Sequence, residues 1–211
     1  MPLRVYFFGD SICVGQYVSI HKTWVSMISK KLEEDLGSKV IVMNASVNGN
    51  TTRMALERMH YDVLSHSPAL IFTQFGMNDC NIWATDKGHE RVSLDCYLAN
   101  MLEILLRAKA AGVQKTIINT NHPSALNKTL LPGSNVSYEE NNFLYYNKLK
   151  KLEKLSGHDF LLIDIREHLE NKKVSPAQFL LKDGIHLNEF GHSLYFEYVY
   201  PYIKEEVKSL I

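Results

Sequence analysis

Three side chains, one near the start of the sequence and two near its end, have the types that acyl transfer to a serine requires. Ser11 follows an apolar stretch and lies beside Gly9 and Asp10, which predicts a turn that presents its hydroxyl group. A serine hydroxyl is a weak nucleophile at neutral pH and needs a base to take its proton. His186 is a candidate base, and Asp183 lies three residues before it, within reach of the imidazole if this stretch turns. Asp183 would then accept a hydrogen bond from Nδ1 and leave Nε2 to accept the Ser11 proton.

Each candidate also has an ordinary structural interpretation. A lone Gly-Asp-Ser is most often a turn or helix cap, and Asp183 with His186 could be a capping pair on the surface. Gly49 and Asn78 are candidates for the donors that stabilise a developing oxyanion, together with the Ser11 backbone N–H. Taken separately, Gly49 would be a turn glycine and Asn78 a cap at the end of a strand. The hydrolase interpretation therefore depends on a fold that brings these residues together.

Short apolar runs alternate with longer amphipathic patterns along the chain. We predict strands at Leu3–Phe8, Lys39–Asn44, Leu70–Phe75, Lys115–Thr120 and Phe160–Asp164. We predict helices near Thr23–Leu36, Thr52–Ser65, Asp95–Ala111, Tyr138–Leu155 and Glu189–Ser209. Each strand is expected to be covered on both faces, and Asp95 and Gly112 are expected to cap and to end their helix. This alternation predicts a parallel sheet in a three-layer α/β/α sandwich, within one domain spanning residues 1–211.

Polar motifs come after the predicted strands. Gly9-Asp10-Ser11 follows the first strand, Gly49 lies in the segment after the second, and Asn78 and His122 come soon after the third and the fourth. In open α/β sheets, ligands bind in a crevice outside the carboxyl ends of the strands. The sequence therefore predicts that these motifs share one crevice.

In this order, the motifs resemble those of the SGNH (GDSL-type) hydrolase superfamily. They are Gly-Asp-Ser at residues 9–11, Gly49, Gly-Met-Asn-Asp at residues 76–79 and Asp-Gly-Ile-His at residues 183–186. The resemblance extends over nearly the whole chain and implies a flavodoxin-like, five-stranded parallel sheet. It implies a triad of Ser11, His186 and Asp183, with Ser11, Gly49 and Asn78 as the oxyanion hole. It also implies hydrolysis of esters, thioesters or O-acetyl groups without a metal or another cofactor.

Three positions depart from the commonest family pattern. Ile12 stands where Leu is common, Ser46 where many members carry another Gly, and Leu187 where Pro often follows the histidine. These departures point away from the best-known thioesterase and lysophospholipase branch. The breadth of the family and the polar loops at Asn81–His89 and Asn121–Ser137 favour a short-chain acyl ester as substrate, with a carbohydrate O-acetyl ester as the first choice. The residues expected to contact the substrate are Asp10, Trp83 and His122.

Two alternatives to this esterase remain open at the sequence level. The enzymatic alternative is a thioesterase or lysophospholipase. The alternative from another class is a binding module that keeps the fold without catalysis, which the complete Ser11, His186 and Asp183 set disfavours. The sequence has no Gly-x-x-x-x-Gly-Lys phosphate loop, no Gly-x-Gly-x-x-Gly and no His-Glu-x-x-His, and its histidines have no partners at metal-ligand spacing. No metal site is therefore predicted.

The composition of the chain argues against a nucleic-acid-binding protein and against a membrane-spanning one. The chain has 211 residues, and its 23 basic and 23 acidic side chains give a formal net charge of zero, which argues against a broad nucleic-acid surface. No apolar run approaches the roughly 18 residues that suggest a membrane span. The start of the sequence does not resemble a signal peptide, and Cys13, Cys80 and Cys96 lack paired spacing, so we predict a cytoplasmic protein with reduced thiols. The expected partner is a small-molecule ester, and the oligomeric state is left open.

Overall fold

A parallel sheet forms the centre of the molecule in the computed structural model, which describes residues 2–155 and 160–211. Its strands are β1 (Leu3–Gly9), β2 (Val40–Asn44), β3 (Leu70–Gln74), β4 (Lys115–Asn119) and β5 (Leu161–Ile163). They lie in the order β2-β1-β3-β4-β5, and every neighbouring pair is parallel. This is the flavodoxin-like order, in which the chain reverses direction across the sheet next to β1. The predicted fold class is confirmed.

Helices cover both faces of the sheet. They are α1 (Ser11–Val14), α2 (Trp24–Leu36), α3 (Thr52–Asp62), α4 (Leu94–Ala110), α5 (Tyr138–Lys150), α6 (Leu152–Leu155), α7 (Ile165–Asn171), α8 (Pro176–Phe179) and α9 (Glu189–Lys208). Turns of 3₁₀ helix occur at Ile20–Lys22, Gly37–Lys39, Leu64–His66 and Ala84–Asp86. Helix α2 packs against α9, while α4 packs against both α3 and α5, so the helices form two groups.

The strands begin and end within two residues of their predicted limits, but the expected burial of β2 is wrong. Strand β3 is buried throughout, as a central strand should be, whereas Ile41 and Met43 of β2 are 42% and 44% exposed. Because β2 pairs only with β1 in the described sheet, it lies at the edge, where a strand is less completely covered.

The helix predictions need three corrections. Helix α4 begins at Leu94, with Ser93 as its N-cap, so Asp95 lies in the first turn instead of capping it. Gly112 has a φ of 83°, the left-handed conformation typical of a residue just beyond a helix. The predicted helix Thr52–Ser65 ends at Asp62, and Tyr138–Leu155 divides into α5 and α6. The short helices α1, α7 and α8 have too few residues to show a periodic pattern, so the sequence does not reveal them.

An aromatic cluster connects the sheet to both helices of one face. The Trp24 ring lies 5.3 Å from Phe7, 5.2 Å from Phe72 and 5.6 Å from Tyr195, measured between centroids. All four rings are fully buried, which fixes the start of α2 and the middle of α9 against β1 and β3. Among the described residues, no helix is both long and apolar enough to cross a membrane. The cytoplasmic location stays a prediction.

Candidate active site

Ser11 is the first residue of α1, directly beyond the end of β1. The Asp10 carboxylate caps this helix by accepting a hydrogen bond of 3.0 Å from the Ile12 N–H. The indole N–H of Trp24 donates to the Ile12 carbonyl over 2.8 Å and holds the same turn from the core. Ser11 itself is only 5% exposed. Its hydroxyl is therefore held in place by a turn that is tied to the core at two points.

Close packing explains the glycine that precedes this turn. A Cβ atom at Gly9 would lie 2.5 Å from Cys13 Sγ and 2.9 Å from the Gln74 carbonyl oxygen. Both contacts are shorter than real Cβ atoms show, and the second is to backbone that cannot move aside. Glycine at this position thus allows β1 and the Ser11 turn to approach β3 closely.

The structure brings Ser11, His186 and Asp183 together although 175 positions separate the serine from the histidine. His186 Nε2 lies 2.9 Å from Ser11 Oγ, and His186 Nδ1 lies 2.7 Å from Asp183 Oδ2. A carboxylate only accepts hydrogen bonds, so Nδ1 carries the proton in the neutral imidazole and Nε2 accepts from the Ser11 hydroxyl. This is the tautomer that removal of the serine proton requires.

The turn at residues 183–186 is stabilised by hydrogen bonds between its own residues. Asp183 Oδ1 accepts hydrogen bonds from the Ile185 N–H at 2.9 Å and from the His186 N–H at 3.0 Å. Burial acts to raise the pKa of Asp183, but these backbone hydrogen bonds and the one from the His186 ring outweigh it and hold the pKa below its usual value. The carboxylate therefore stays ionised beside the imidazole at neutral pH.

His122 lies behind this turn and cannot contact a substrate in this structure, so its expected role is corrected. It is fully buried, and its Nε2 donates to the Ile185 carbonyl over 2.8 Å. Its Nδ1 accepts from the Tyr195 hydroxyl over 2.6 Å, and Gln74 Nε2 donates to the same hydroxyl oxygen. Burial lowers the pKa of His122 to about 4, so the neutral ring that this chain of hydrogen bonds needs is present at neutral pH.

Asn78 lies next to the Ser11 turn, as its place after β3 predicts. Its Nδ2 donates to Asp10 Oδ2 over 3.3 Å, and its Oδ1 accepts from Arg91 Nη1 over 3.2 Å. A guanidinium can only donate, so these two partners fix which end of the amide is nitrogen. Asp10 is fully buried with both carboxylate oxygens engaged, so its expected contact with substrate is also corrected: it orients Asn78 and caps α1.

One guanidinium connects Asn78 to Gly49. Arg91 Nη2 donates to the Gly49 carbonyl over 3.0 Å while Nη1 contacts Asn78. The guanidinium carbon lies 4.1 Å from the ring centroid of Trp83, a cation–π contact that restricts the arginine further. Trp83 is 52% exposed, so its expected contact with substrate stays a prediction.

A second arginine holds the Gly49 loop from the other side. Arg58 Nε donates to the Asn50 side-chain oxygen, and its two terminal nitrogens donate to the Ala45 and Gly9 carbonyls. Gly49 has a φ of 75°, a conformation that glycine adopts without strain. Within the described residues, neither the Gly49 N–H nor the Ser11 N–H donates to a protein acceptor. Both are therefore available to a bound group.

Two buried carboxylates lie under this part of the site. Burial raises the pKa of Asp10 to about 7, opposed by the Ile12 N–H and assisted by the negative charge of Asp79. Burial also raises the pKa of Asp79 to about 6, although it accepts hydrogen bonds from the Thr52 N–H and hydroxyl. The acids that support Asn78 and α3 thus titrate close to neutral pH.

Sequence reasoning missed three residues of this neighbourhood. Arg91 and Arg58 lie in ordinary polar surroundings in the sequence, where an arginine is usually solvated, so no motif marks them. Tyr17 lies just after α1, and its ring meets the His186 ring edge to face at 5.3 Å between centroids. Among the described residues, no group of three histidine, cysteine or acidic side chains is arranged to hold a metal ion.

One family of known proteins matches most of the chain. The profile of the GDSL-like Lipase/Acylhydrolase family matches residues 7–194. The chain belongs to this family. Its membership confirms the resemblance that the sequence motifs carry and makes the protein a carboxylic ester hydrolase.

The alignments with relatives and the superpositions on solved structures cover most of the chain. An arylesterase of Vibrio mimicus is 24% identical over 183 residues, which cover 87% of this chain and 79% of the relative. A lipase/acylhydrolase from Enterococcus faecalis superposes with a TM-score of 0.76 at 20% identity, covering 97% of this chain and 96% of that one. An acetylxylan esterase from Geobacillus stearothermophilus superposes with a TM-score of 0.72 at 20% identity, covering 93% and 92%. These structural likenesses show a shared fold.

Proposed function

We propose that this GDSL-family hydrolase cleaves short-chain acyl esters, with Ser11 as nucleophile, His186 as base and Asp183 as the group that orients the base. The observation that carries the proposal is the unbroken hydrogen-bond chain from Asp183 through His186 to the Ser11 hydroxyl, at 2.7 and 2.9 Å. A pure binding protein has no need of this chain.

The first step forms the acyl-enzyme through a tetrahedral intermediate. Ser11 Oγ bonds to the ester carbonyl carbon while its proton passes to His186 Nε2, and one carbon–oxygen electron pair moves onto the carbonyl oxygen. Asp183 stabilises the imidazolium that results. The electron pair then returns, the bond to the leaving oxygen breaks, and the proton on Nε2 moves to that oxygen, so that a neutral alcohol leaves.

The second step releases the acid. His186 Nε2 takes a proton from water as the water oxygen bonds to the acyl carbon. Collapse of the second tetrahedral intermediate breaks the bond to Ser11 Oγ, which recovers its proton from Nε2. The products are one carboxylic acid and one alcohol, and the protein returns to its starting protonation.

The oxyanion of both intermediates is assigned three donors: the Ser11 N–H, the Gly49 N–H and the Asn78 side-chain amide. Three observations support this set. The two backbone donors are unused within the described residues, the Asn78 amide keeps one hydrogen beyond the one that Asp10 accepts, and Arg91 ties Asn78 to Gly49. Donors that are oriented before the reaction stabilise charge without reorganising when it develops.

For the substrate we propose a carbohydrate O-acetyl ester. The exposed Trp83 ring beside Arg91 offers an aromatic face of the kind that packs on a sugar ring. The likeness in fold to an acetylxylan esterase supports the same choice.

Labelling with a fluorophosphonate tests the nucleophile. We expect the wild type and the matched control Ser65→Ala to be labelled and to hydrolyse p-nitrophenyl acetate. Ser65 is an exposed serine in the 3₁₀ turn Leu64–His66, which follows α3. Ser11→Ala, shown to be folded by circular dichroism, should be neither labelled nor active. Labelling or wild-type turnover of Ser11→Ala would refute the assignment, and a wild type that binds acetylated sugars but is not labelled would indicate a binding module.

A panel of esters tests the substrate class. Acetyl, butyryl and octanoyl esters of one alcohol measure the preference for acyl length, and an acetyl thioester measures the preference for sulfur. We expect kcat/KM to fall as the acyl chain lengthens, and acetylated xylo-oligosaccharides to be deacetylated. A rising preference for octanoyl esters or for the thioester would favour a thioesterase or lysophospholipase.

A further inference from the structure

Tyr17 has an unusual backbone for an aromatic residue. It is the third residue of a turn in which the Val18 N–H donates to the Gly15 carbonyl over 3.2 Å, and its φ is 71°. Left-handed backbone at this position of a turn is typical of glycine or asparagine, and it is sterically disfavoured for a bulky side chain. Something other than local propensity therefore accounts for the tyrosine.

Burial does not account for it either. The Tyr17 residue is 72% exposed, and within the described residues its hydroxyl makes no hydrogen bond. Its ring instead meets the His186 ring edge to face, with centroids 5.3 Å apart and planes at 84°. Disfavoured backbone conformations persist most often where they hold a functional group in place. Here the group held in place is an exposed aromatic ring beside the proposed base.

The chemistry of the proposed reaction says which part of a substrate lies there. His186 Nε2 must protonate the leaving oxygen, so that oxygen comes within hydrogen-bond distance of the imidazole. The alcohol portion attached to the oxygen then lies beside the imidazole, where the Tyr17 ring projects. The acyl portion is bonded to Ser11 and extends from the other side of the cleaved bond.

We propose that Tyr17 determines leaving-group specificity by packing its exposed ring against a cyclic alcohol portion of the substrate. The ligand chemistry is a ring with a flat apolar face, which both an aryl group and a pyranose provide. The inference rests on the proposed function, because it uses His186 as the group that protonates the leaving oxygen.

The molecule contains a matched pair of rings away from the site. His60 and Tyr61 meet at 5.2 Å between centroids with planes at 79°, and Tyr61 is 76% exposed. Tyr61 lies within α3 and lacks the left-handed backbone of Tyr17. It therefore reproduces the exposure and the ring geometry without the neighbouring nucleophile, which makes Tyr61→Ala the natural control.

The experiment measures kcat/KM for three acetates that differ only in the alcohol: phenyl acetate, a monoacetylated methyl pyranoside and ethyl acetate. Tyr17→Ala should lower kcat/KM by roughly 3- to 10-fold for a cyclic ester, the loss of one aromatic contact, and leave ethyl acetate within about twofold. Tyr17→Phe should keep the preference, and Tyr61→Ala should change nothing. Tyr17→Asn, which accepts the left-handed backbone more easily, should repeat the alanine result and exclude a folding defect.

The outcomes separate the possible failures. A loss confined to phenyl acetate assigns the contact to aryl esters, and a loss confined to the pyranoside assigns it to sugar esters. An equal loss on all three substrates would mean that Tyr17 only supports His186, and no loss on any would mean that it contacts nothing; either result overturns the proposal. If Ser11→Ala hydrolyses the same esters at the wild-type rate, the proposed function itself fails, whatever Tyr17 does.

Discussion

The two halves of the candidate site are held together in different ways. The proton-transfer half consists of the Ser11 hydroxyl, His186 and Asp183, three side chains in one line of hydrogen bonds. The proposed oxyanion half consists of the Ser11 N–H, the Gly49 N–H and the Asn78 amide, which come from three separate segments of the chain, the start of α1 and two loops. The first half contains its own orienting group, Asp183. The second depends on side chains that do not themselves react.

Hydrogen bonds within a single turn hold together the acid and the base of the proton-transfer half. Asp183 accepts hydrogen bonds from two backbone N–H groups of the turn that carries His186. These bonds lie within four consecutive residues and fix the acid relative to the base. The oxyanion half has no such local unit. Asn78 is oriented by Asp10 on one side and by Arg91 on the other, and the Gly49 loop is tied down by Arg91 and Arg58.

This contrast explains why a sequence motif can reveal one half of the site and not the other. Reactive side chains can be read from a motif, whereas oriented donors need tertiary contacts from residues that no motif marks. It also predicts different responses to mutation: abrupt and non-additive loss in the proton-transfer half, and graded loss in the oxyanion half that spreads to the supporting residues.

The largest effect is expected in the proton-transfer half. His186→Ala should lower kcat for p-nitrophenyl acetate by about 10⁴-fold or more, because the serine then has no base. The double variant Ser11→Ala, His186→Ala should be no worse than either single variant, because both belong to one proton-transfer unit. His60→Ala serves as the control for a histidine outside the site. Additive losses in the double variant would show that the two residues act independently.

Asn78→Ala should produce the next largest effect. Loss of one oxyanion donor typically lowers kcat by about 10²- to 10³-fold, or roughly 2.7–4 kcal/mol, and KM should change little because the donor acts after the carbonyl becomes tetrahedral. Steady-state kinetics on one activated ester measures both constants, with folding checked by circular dichroism. Ser11 should still react slowly with a fluorophosphonate.

A second substitution at Asn78 sharpens this result. Asn78→Asp should be as harmful as alanine or worse, because a carboxylate repels the developing negative charge and lies beside Asp10. A large increase in KM at unchanged kcat for either variant would place Asn78 in ground-state binding and remove it from the oxyanion half.

Arg91→Met should cause a smaller loss, about tenfold in kcat, since it frees the Asn78 amide to rotate without removing it. The decisive measurement is a double-mutant cycle: in the Asn78→Ala background, the same arginine substitution should have almost no effect. Arg107→Met is the matched control, because Arg107 also donates to a backbone carbonyl and a side chain but lies on α4. Full additivity of Arg91→Met with Asn78→Ala would show that Arg91 does not act through Asn78.

The fold was predictable because each strand is a short apolar run and the longer helices have clear limits. The predicted strand limits lie within two residues of those observed, and the neighbouring positions of β1 and β3, which place Asn78 beside Ser11, follow from the doubly wound pattern. What the sequence did not reveal is the four-residue helix α1, which is too short to show a periodic pattern, and the exposure of β2, which was predicted as a strand but as a covered one. The edge position of β2 depends on the strand order, which its apolar content does not indicate.

In the site, the residues predicted for the reactivity of their side chains lie close together. Two of the residues predicted to contact the substrate, Asp10 and His122, are instead fully buried. Ser11, His186, Asp183 and Asn78 each carry a side chain whose role in a hydrolase is implied by its type. His122 follows β4 as a crevice residue should, but the turn at residues 183–186 covers it, which only the packing of distant segments determines. Arg91 is the reverse case, since its importance arises from contacts with two loops far away in the sequence.

The smallest predicted effect compares one carboxylate from each half, Asp10 and Asp183, through the pH dependence of stability. Burial raises the pKa of Asp10 to about 7, well above the unfolded value of roughly 3.9, so the folded state binds the extra proton. Its contribution to stability is present below about pH 4 and is lost as the pH rises through about 7. The pKa of Asp183 is lowered, so its contribution is present above about pH 4 and is lost as the pH falls.

Substitution by asparagine should therefore change the pH profile in opposite directions. Between pH 4 and 7 the free energy of unfolding of Asp10→Asn should decline less with rising pH than that of the wild type, by up to about 1 kcal/mol per pH unit. Asp183→Asn should instead lose stability relative to the wild type above pH 4 and approach it in more acidic solution. Urea unfolding at unit steps from pH 3 to 8 measures both slopes. Parallel profiles for the wild type and Asp10→Asn would show that Asp10 has an ordinary pKa, and that the oxyanion half is supported by a carboxylate that is fully ionised at neutral pH.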